Sequence, residues 1–210
     1  TKTLGDYLRP LGLRTALAGK THMAADRAGI DRLGLTGVEG VFAGQAGFEP
    51  YLRDDGLHPT GIVDPELAYN KFLRDQGYDG ENPWHDFANA AEGPNGEILS
   101  GWVMRHANLP ARVREEHSET PWMTDQAIRF IRDQGEDPWC LHLSYIKPHW
   151  PYIAPAPYHD MYSPADINPP IRSEAERRNP HPVVGAFMRH DESVNFAEQV
   201  VRDRVVPTYM

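Results

Sequence analysis

Trp139-Cys140-Leu141-His142-Leu143-Ser144-Tyr145-Ile146 runs directly into Lys147-Pro148-His149-Trp150-Pro151-Tyr152. A short, mainly apolar run that stops on a lysine, a histidine and two prolines reads as a buried strand that delivers polar groups to the edge of a sheet. In open α/β folds that edge holds the ligand crevice. The layout occurs a second time, where Thr15-Ala16-Leu17-Ala18-Gly19 is followed by Lys20-Thr21-His22. If the two runs end side by side, their Lys/His corners form one anion-handling site. If they do not, each pair only decorates a solvated strand end.

Each run follows a helical pattern. Leu4, Tyr7, Leu8 and Leu11 recur at helical spacing behind Thr3 and Asp6, which resemble a capping box. Pro10 strains the last turn, and Gly12 suits the left-handed residue that ends a helix. Before the second run, Thr120-Pro121 opens the clearest helix, with Met123, Ala127, Phe130 and Ile131 predicted on one buried face and Gly135 at its end. A helix–strand unit used twice predicts an α/β layered fold, with helices packed on a mostly parallel sheet.

Between these units the chain is harder to read. Residues 24–61 carry glycines at 29, 34, 37, 40, 44, 47, 56 and 61, which interrupt every periodicity; loops are expected there, with one strand near Val41–Phe42. Asp64 and Pro65 predict the start of a helix whose buried face holds Tyr69, Phe72 and Leu73 and which closes at Gly77. Residues 78–119 read as a long excursion with the turn Gly93-Pro94-Asn95-Gly96. Residues 147–170 are rich in proline and tyrosine, Ser173–Arg178 is a charged short helix or linker, and Phe196, Val200, Arg204 and Tyr209 predict a final helix that Pro207 disturbs.

Composition sets wider limits. The 210 residues suffice for one domain with a core, and 1–210 is read as one partial catalytic domain with core units 1–23 and 120–158. Gly (18) and Pro (19) together make roughly 18% of the chain against about 12% on average, which points to many loops. A net charge of −9 argues against nucleic acid or an anionic membrane as the main partner. A local cluster of Lys and His can still oppose that sign. The single cysteine, Cys140, cannot build an internal disulfide framework. No signal peptide is visible, and a cytoplasmic location is expected, although the native N-terminus is not seen.

The residues match ester chemistry. The non-bridging oxygens of a sulfate or phosphate ester are negative, and a lysine ammonium at ~4 Å gains about 4 kcal/mol at an effective dielectric near 20. Histidine can protonate a leaving oxygen, which typically contributes ~10²–10⁴-fold. Lys20, His22, Lys147 and His149 supply that inventory without a nucleophile. Cys140 lies between Trp139 and Leu141 in an apolar strand, where a thiol stays protonated and inert. No H-E-x-x-H, no zinc spacing, no Gly-rich phosphate loop and no G-x-S-x-G occurs. His190-Asp191-Glu192 is read as a solvated turn.

Thr3-Leu4-Gly5-Asp6-Tyr7-Leu8 with Gly12-Leu13-Arg14-Thr15-Ala16-Leu17-Ala18-Gly19-Lys20-Thr21-His22-Met23 resembles the sulfatase family of the alkaline phosphatase superfamily. Lys147-Pro148-His149-Trp150-Pro151-Tyr152 and Ala154-Pro155-Ala156-Pro157-Tyr158 resemble a later segment of the same family, closest to its phosphonate monoester hydrolase and arylsulfatase-like bacterial members. The resemblance implies an alkaline phosphatase-like fold and hydrolysis of sulfate, phosphate or phosphonate esters of small molecules by a parent that can be a homo-oligomer. It implies that Lys20 binds the non-bridging oxygens, His22 handles the nucleophile's proton and His149 acts as the leaving-group acid. Lys147 and Thr21 are expected to support substrate binding.

The departures from the family pattern are equally definite. The C-x-P-S-R source of formylglycine does not occur, nor do the Asp-Asp metal ligands or the later Asp paired with His or Asn. By the family's order these lie outside 1–210, so the chain is expected to be an internal fragment. The parent is expected to hold a divalent metal, Ca or Mn, that this chain does not bind tightly. Two alternatives remain: a non-catalytic anion- or carbohydrate-binding module built on the Trp- and Tyr-rich loops, and a metal-dependent phosphodiesterase or phosphomutase with Ser or Thr as nucleophile. The purified 210-residue chain is expected to show no hydrolase activity; turnover of an aryl sulfate or phosphonate ester by it would overturn the fragment reading.

Overall fold

The structure, a computed structural model, describes residues 2–21, 27–54, 56 and 67–210. The predicted helix start at Asp64 and Pro65, and His22, lie outside the described residues. In chain order the elements begin with α1 (Leu4–Leu8), β1 (Arg14–Gly19), α2 (Arg27–Arg32), α3 (Gly37–Gly44), β2 (Glu49–Arg53) and α4 (Ala68–Asp75). Then come β3 (Ala90–Glu92), β4 (Ile98–Ser100), β5 (Pro110–Ala111), α5 (Glu119–Gln134), β6 (Trp139–Ser144) and β7 (Ala154–Pro155). The chain closes with α6 (Glu174–Arg178), α7 (Pro182–Phe187), α8 (Asp191–Ala197) and α9 (Gln199–Tyr209).

Two compact units result. The first takes Thr1–Trp84 and Glu116–Lys147, the second His85–Glu115 and Pro148–Met210. The stretch 120–158 that the sequence reading treats as one core piece is thus shared, with 148–158 in the second unit.

The first unit is built on a three-stranded sheet in the order β2-β1-β6, with both pairings parallel. β1 is central and is buried from Thr15 to Gly19, as a parallel strand covered on both faces must be. Its alanines leave room for covering helices. α1 carries the expected capping box, in which the Asp6 carboxylate accepts from the Thr3 N–H at 3.0 Å. Gly12 turns the chain into β1 with φ 84°, a value that glycine adopts without Cβ strain.

α5 starts one residue earlier than predicted, after Ser118, and Gly135 ends it. Its buried residues are Glu119, Trp122, Met123, Ala127, Phe130 and Gln134. Ile131 is 44% exposed, a correction to the predicted face: adding Trp122 and Glu119 rotates the buried stripe away from it. Phe130 packs edge-on against Tyr51 of β2 and Trp139 of β6, with ring centroids 5.0 and 5.9 Å away. Tyr69 and Leu73 of α4 are fully buried, and the Tyr69 ring packs tilted against Trp122 with centroids 5.1 Å apart.

The strand expected near Val41–Phe42 is not one. Those residues lie in α3, and the strand is β2, some eight residues later. Pro50 conceals it, because proline donates no ladder hydrogen bond and reads as a break. β2 tolerates Pro50 as the outer strand among the described residues, with a register shift opposite Leu17 and Ala18.

The second unit holds the antiparallel hairpin β3–β4, closed by the predicted Gly93–Gly96 turn, and the short parallel pair β5–β7. Its core gathers Ala107, Val201 and Val205 with Met104, Tyr152 and Phe196. In α9 the buried residues are Val201, Val205 and Pro207, whereas Val200 is 40% exposed. The predicted face is therefore shifted by one residue. Pro207 sits inside the last turns of α9 and packs there.

Gly19 closes β1 with φ 98°, and a Cβ there would lie 1.9 Å from the Ser144 carbonyl oxygen of β6. Gly12, at φ 84°, has nothing within 4 Å of the same position. Gly12→Ala is expected to cost about 1 kcal/mol from left-handed strain alone. Gly19→Ala is expected to cost about 3–5 kcal/mol because β1 and β6 must separate. Denaturant unfolding of both variants checks the difference.

Candidate active site

Register places the three strand ends level. Gly19 is opposite both Arg53 and Ser144. The residues that follow emerge from one edge: Lys20 and Thr21 after β1, Asp54 after β2, and Tyr145 to Lys147 after β6. Backbone bonds hold the edge together, Lys20 N–H to the Ser144 carbonyl at 3.0 Å and Asp54 N–H to the Gly19 carbonyl at 3.2 Å. This is the carboxyl edge of a parallel sheet, where α/β folds bind ligands.

Glu119, at the first position of α5, is 5% exposed beneath this edge, and Asp54 is fully buried. The Trp84 indole N–H donates to Glu119 Oε1 at 2.9 Å. Trp84 is itself fixed, its backbone N–H donating to Asn70 Oδ1 at 2.6 Å. Burial pushes the Glu119 carboxyl above the usual range. The hydrogen bond to Asp54, the Lys147 ammonium, the Trp84 N–H and the Lys20 ammonium all pull it back. Lys147 is partly exposed as a residue, but its ammonium is enclosed. Burial pushes that ammonium down to about 8, and the negative charge of Glu119 opposes the fall. Tyr69 is pushed well above its ordinary value, by burial first and then by Glu119, Asp54 and Tyr78; its hydroxyl donates to the His117 carbonyl at 2.7 Å.

The sequence-predicted residues are distributed as follows. Lys20 and Lys147 both act on Glu119, and Thr21 adjoins Lys20 at the strand end, partly buried. His22 lies outside the described residues. His149 belongs to the second unit, is exposed, and is hydrogen bonded through Nδ1 to the Trp150 carbonyl. That bond puts the proton of the neutral ring on Nδ1 and leaves Nε2 as its basic atom. Cys140 is half-buried within β6, opposite Thr15. His190, read as part of a solvated turn, precedes α8 as its N-cap and pairs with Glu192 in that helix's exposed first turn.

Sequence reasoning missed Glu119 and Asp54. An acid in a helix's first turn ordinarily reads as a surface group facing the helix dipole. Asp54 follows a strand that Pro50 hides.

Comparisons with known proteins follow this geometry. No family model matches the chain. It is 37% identical over 140 residues to the multifunctional alkaline phosphatase superfamily protein PehA of Trinickia caryophylli, a match covering 65% of this chain and 26% of that protein. It is 30% identical over 76 residues to an arylsulfatase of Clostridium perfringens, covering 36% of this chain and 15% of that protein.

The chain is similar to members of the alkaline phosphatase superfamily.

It spans about a quarter of the length of the first relative and less of the second. Its fold is shared with the phosphonate monoester hydrolase SpPMH of Silicibacter pomeroyi, with a TM-score of 0.68 and 22% identity over 98% of this chain and 39% of that one. A phosphonate monoester hydrolase of Agrobacterium radiobacter gives 0.61 at 18% identity, over 98% and 41%. This fold places two lysines and a buried acid at one sheet edge.

Lys147 is expected to titrate near pH 8, against about 10.4 for an ordinary lysine. A pH series of amine NMR signals, with Lys147→Arg for assignment, checks the midpoint.

Proposed function

We propose that this chain forms part of a hydrolase of sulfate, phosphate or phosphonate esters of small molecules. The observation that carries the reading is the convergence of Lys20 and Lys147 on Glu119 at the carboxyl edge of the sheet. Two ammonium groups at that edge can attract an anion, with the buried acids Glu119 and Asp54 beside them. The names of the relatives support the reaction class, since PehA is described as a multifunctional member of the superfamily and the second as an arylsulfatase.

The roles proposed are those that the family resemblance implies. Lys20 binds the non-bridging oxygens, and Lys147 and Thr21 assist it. His22 exchanges the nucleophile's proton. His149 is the leaving-group acid, protonated at Nε2 while Nδ1 keeps its bond to the Trp150 carbonyl. The Ca or Mn that the family resemblance implies does not fit the residues at hand. Among the described residues no group of three or more His, Cys, Asp or Glu is placed to hold a metal, and no step is assigned to one. Among the described residues no helix is long and apolar enough to cross a bilayer.

In the full-length protein, His149→Ala is expected to slow hydrolysis of esters with poor leaving groups by about 10²–10⁴-fold. Esters with good leaving groups need little protonation and should be slowed far less. Lys20→Ala should slow both classes alike, because the anion is common to them. Steady-state kinetics on an alkyl and a nitrophenyl series checks this; equal losses for both series in His149→Ala would remove the acid role.

A further inference from the structure

The closing helices of the second unit keep apolar side chains in solvent. Val184 and Phe187 of α7, with Met188 just past its end, recur at i, i+3 and i+4 and so share one helical stripe. All three are exposed, Phe187 most of all at 66%. The residue that α7 does bury is Gly185, where a Cβ would lie 3.0 Å from Pro180. The helix thus packs through its glycine and turns its larger residues outward. Val194 of α8 is exposed on the same space.

Exposed apolar residues scattered singly need no explanation. These four are not scattered, because they wall one groove of about 720 Å³. On the core side the groove is lined by Met104, Tyr152 and Phe196, which pack against Ala107, Val201 and Val205. Its base is therefore fixed by the core that α9 builds, while its walls remain open. A mainly apolar concavity of this size, with a few charged groups at its rim, has the make-up of a small-molecule site.

The rim decides the charge of the ligand. Arg172, Arg177, Glu176 and Glu192 all line the groove. Both acids are already engaged. Glu176 accepts from the Ser173 N–H at 3.3 Å at the start of α6, and Glu192 pairs with His190. Arg177 reaches Glu174 at 4.0 Å in an exposed pair, a contact of a kind that contributes little. Arg172 makes no hydrogen bond or ion pair among the described residues. A guanidinium with its donors free, set beside an apolar groove, matches an anionic head that two parallel N–H groups can hold.

We infer that this groove binds an amphipathic anion, a small molecule with an alkyl body and one carboxylate or sulfate head. The body lies against Phe187, Met188 and Val194, and the head meets Arg172 and Arg177. The unbranched side chains of Met104 and Met188 can follow alkyl bodies of different length. Every residue of the site belongs to the second unit, so the inference does not draw on the ester-hydrolase reading.

The experiment is calorimetric titration of the 210-residue chain at pH 7 with hexanoate, octanoate and decanoate, and with neutral 1-octanol. Affinity should rise about two- to fourfold per added CH₂ along the acids, and octanoate should bind more tightly than 1-octanol. Arg172→Ala/Arg177→Ala should weaken octanoate about three- to tenfold and leave 1-octanol unchanged. Val194→Glu places a like charge in the apolar wall and should weaken octanoate about tenfold or more. The substituted residues are all exposed, so an unchanged melting midpoint is expected in both variants. Absence of octanoate binding to the unmodified chain overturns the inference. Equal affinity for 1-octanol overturns it as well, since the arginines would then have no part. So does octanoate binding that neither variant alters, which would lie elsewhere. A dimer of the chain that Val194→Glu dissociates, with no binding of the acids, would give the groove to a second copy and likewise overturn it.

Discussion

A buried charge is the most expensive thing this fold contains, and Glu119 is that charge. Desolvating a carboxylate costs several kcal/mol even after relaxation. A cation about 4 Å away returns about 4 kcal/mol at an effective dielectric near 20. Neither effect alone decides the outcome. For Glu119, burial is opposed from four sides: Asp54, two lysines and the Trp84 N–H. The same balance governs Lys147, whose ammonium is destabilised by burial and restored by Glu119.

That cluster exists because three strands finish at the same level. β1 is central, both its neighbours run parallel to it, and Gly19 faces Arg53 on one side and Ser144 on the other. Small residues in β1 make the close approach feasible. At Gly19 no side chain fits at all, since the Ser144 carbonyl occupies its place. Backbone packing therefore sets the geometry of the edge, and the charged residues are passengers on it. α5 adds the acid from beneath, with its Phe130 face fixed by Tyr51 and Trp139.

Likeness to solved phosphonate monoester hydrolases extends over 98% of the chain at 22% identity or less. At that distance the shared property is the path of the backbone. What the edge does must then be reasoned from its own side chains. Here they are two lysines of unlike surroundings: Lys20 at the rim, and Lys147 enclosed and easier to deprotonate.

The chain's periodicity and punctuation were enough to place α1, β1, α5 and β6, because each is bounded by a cap, a glycine or a proline and carries a local apolar rhythm. The same reading put Lys20 and Lys147 at strand ends, since a charged residue after an apolar run has few other places to go. It misplaced β2, where Pro50 and the surrounding glycines erase the rhythm. It rotated the buried faces of α5 and α9 slightly, because Trp122 and Val201 lie beside the apolar positions chosen. Glu119 and Asp54 left no local mark. They are far apart in the chain, and an acid's burial depends on cations and donors that only folding brings to it. Local propensity wrote the elements; long-range electrostatics and strand register, which no short window of residues contains, decided which of their charged groups would share one site.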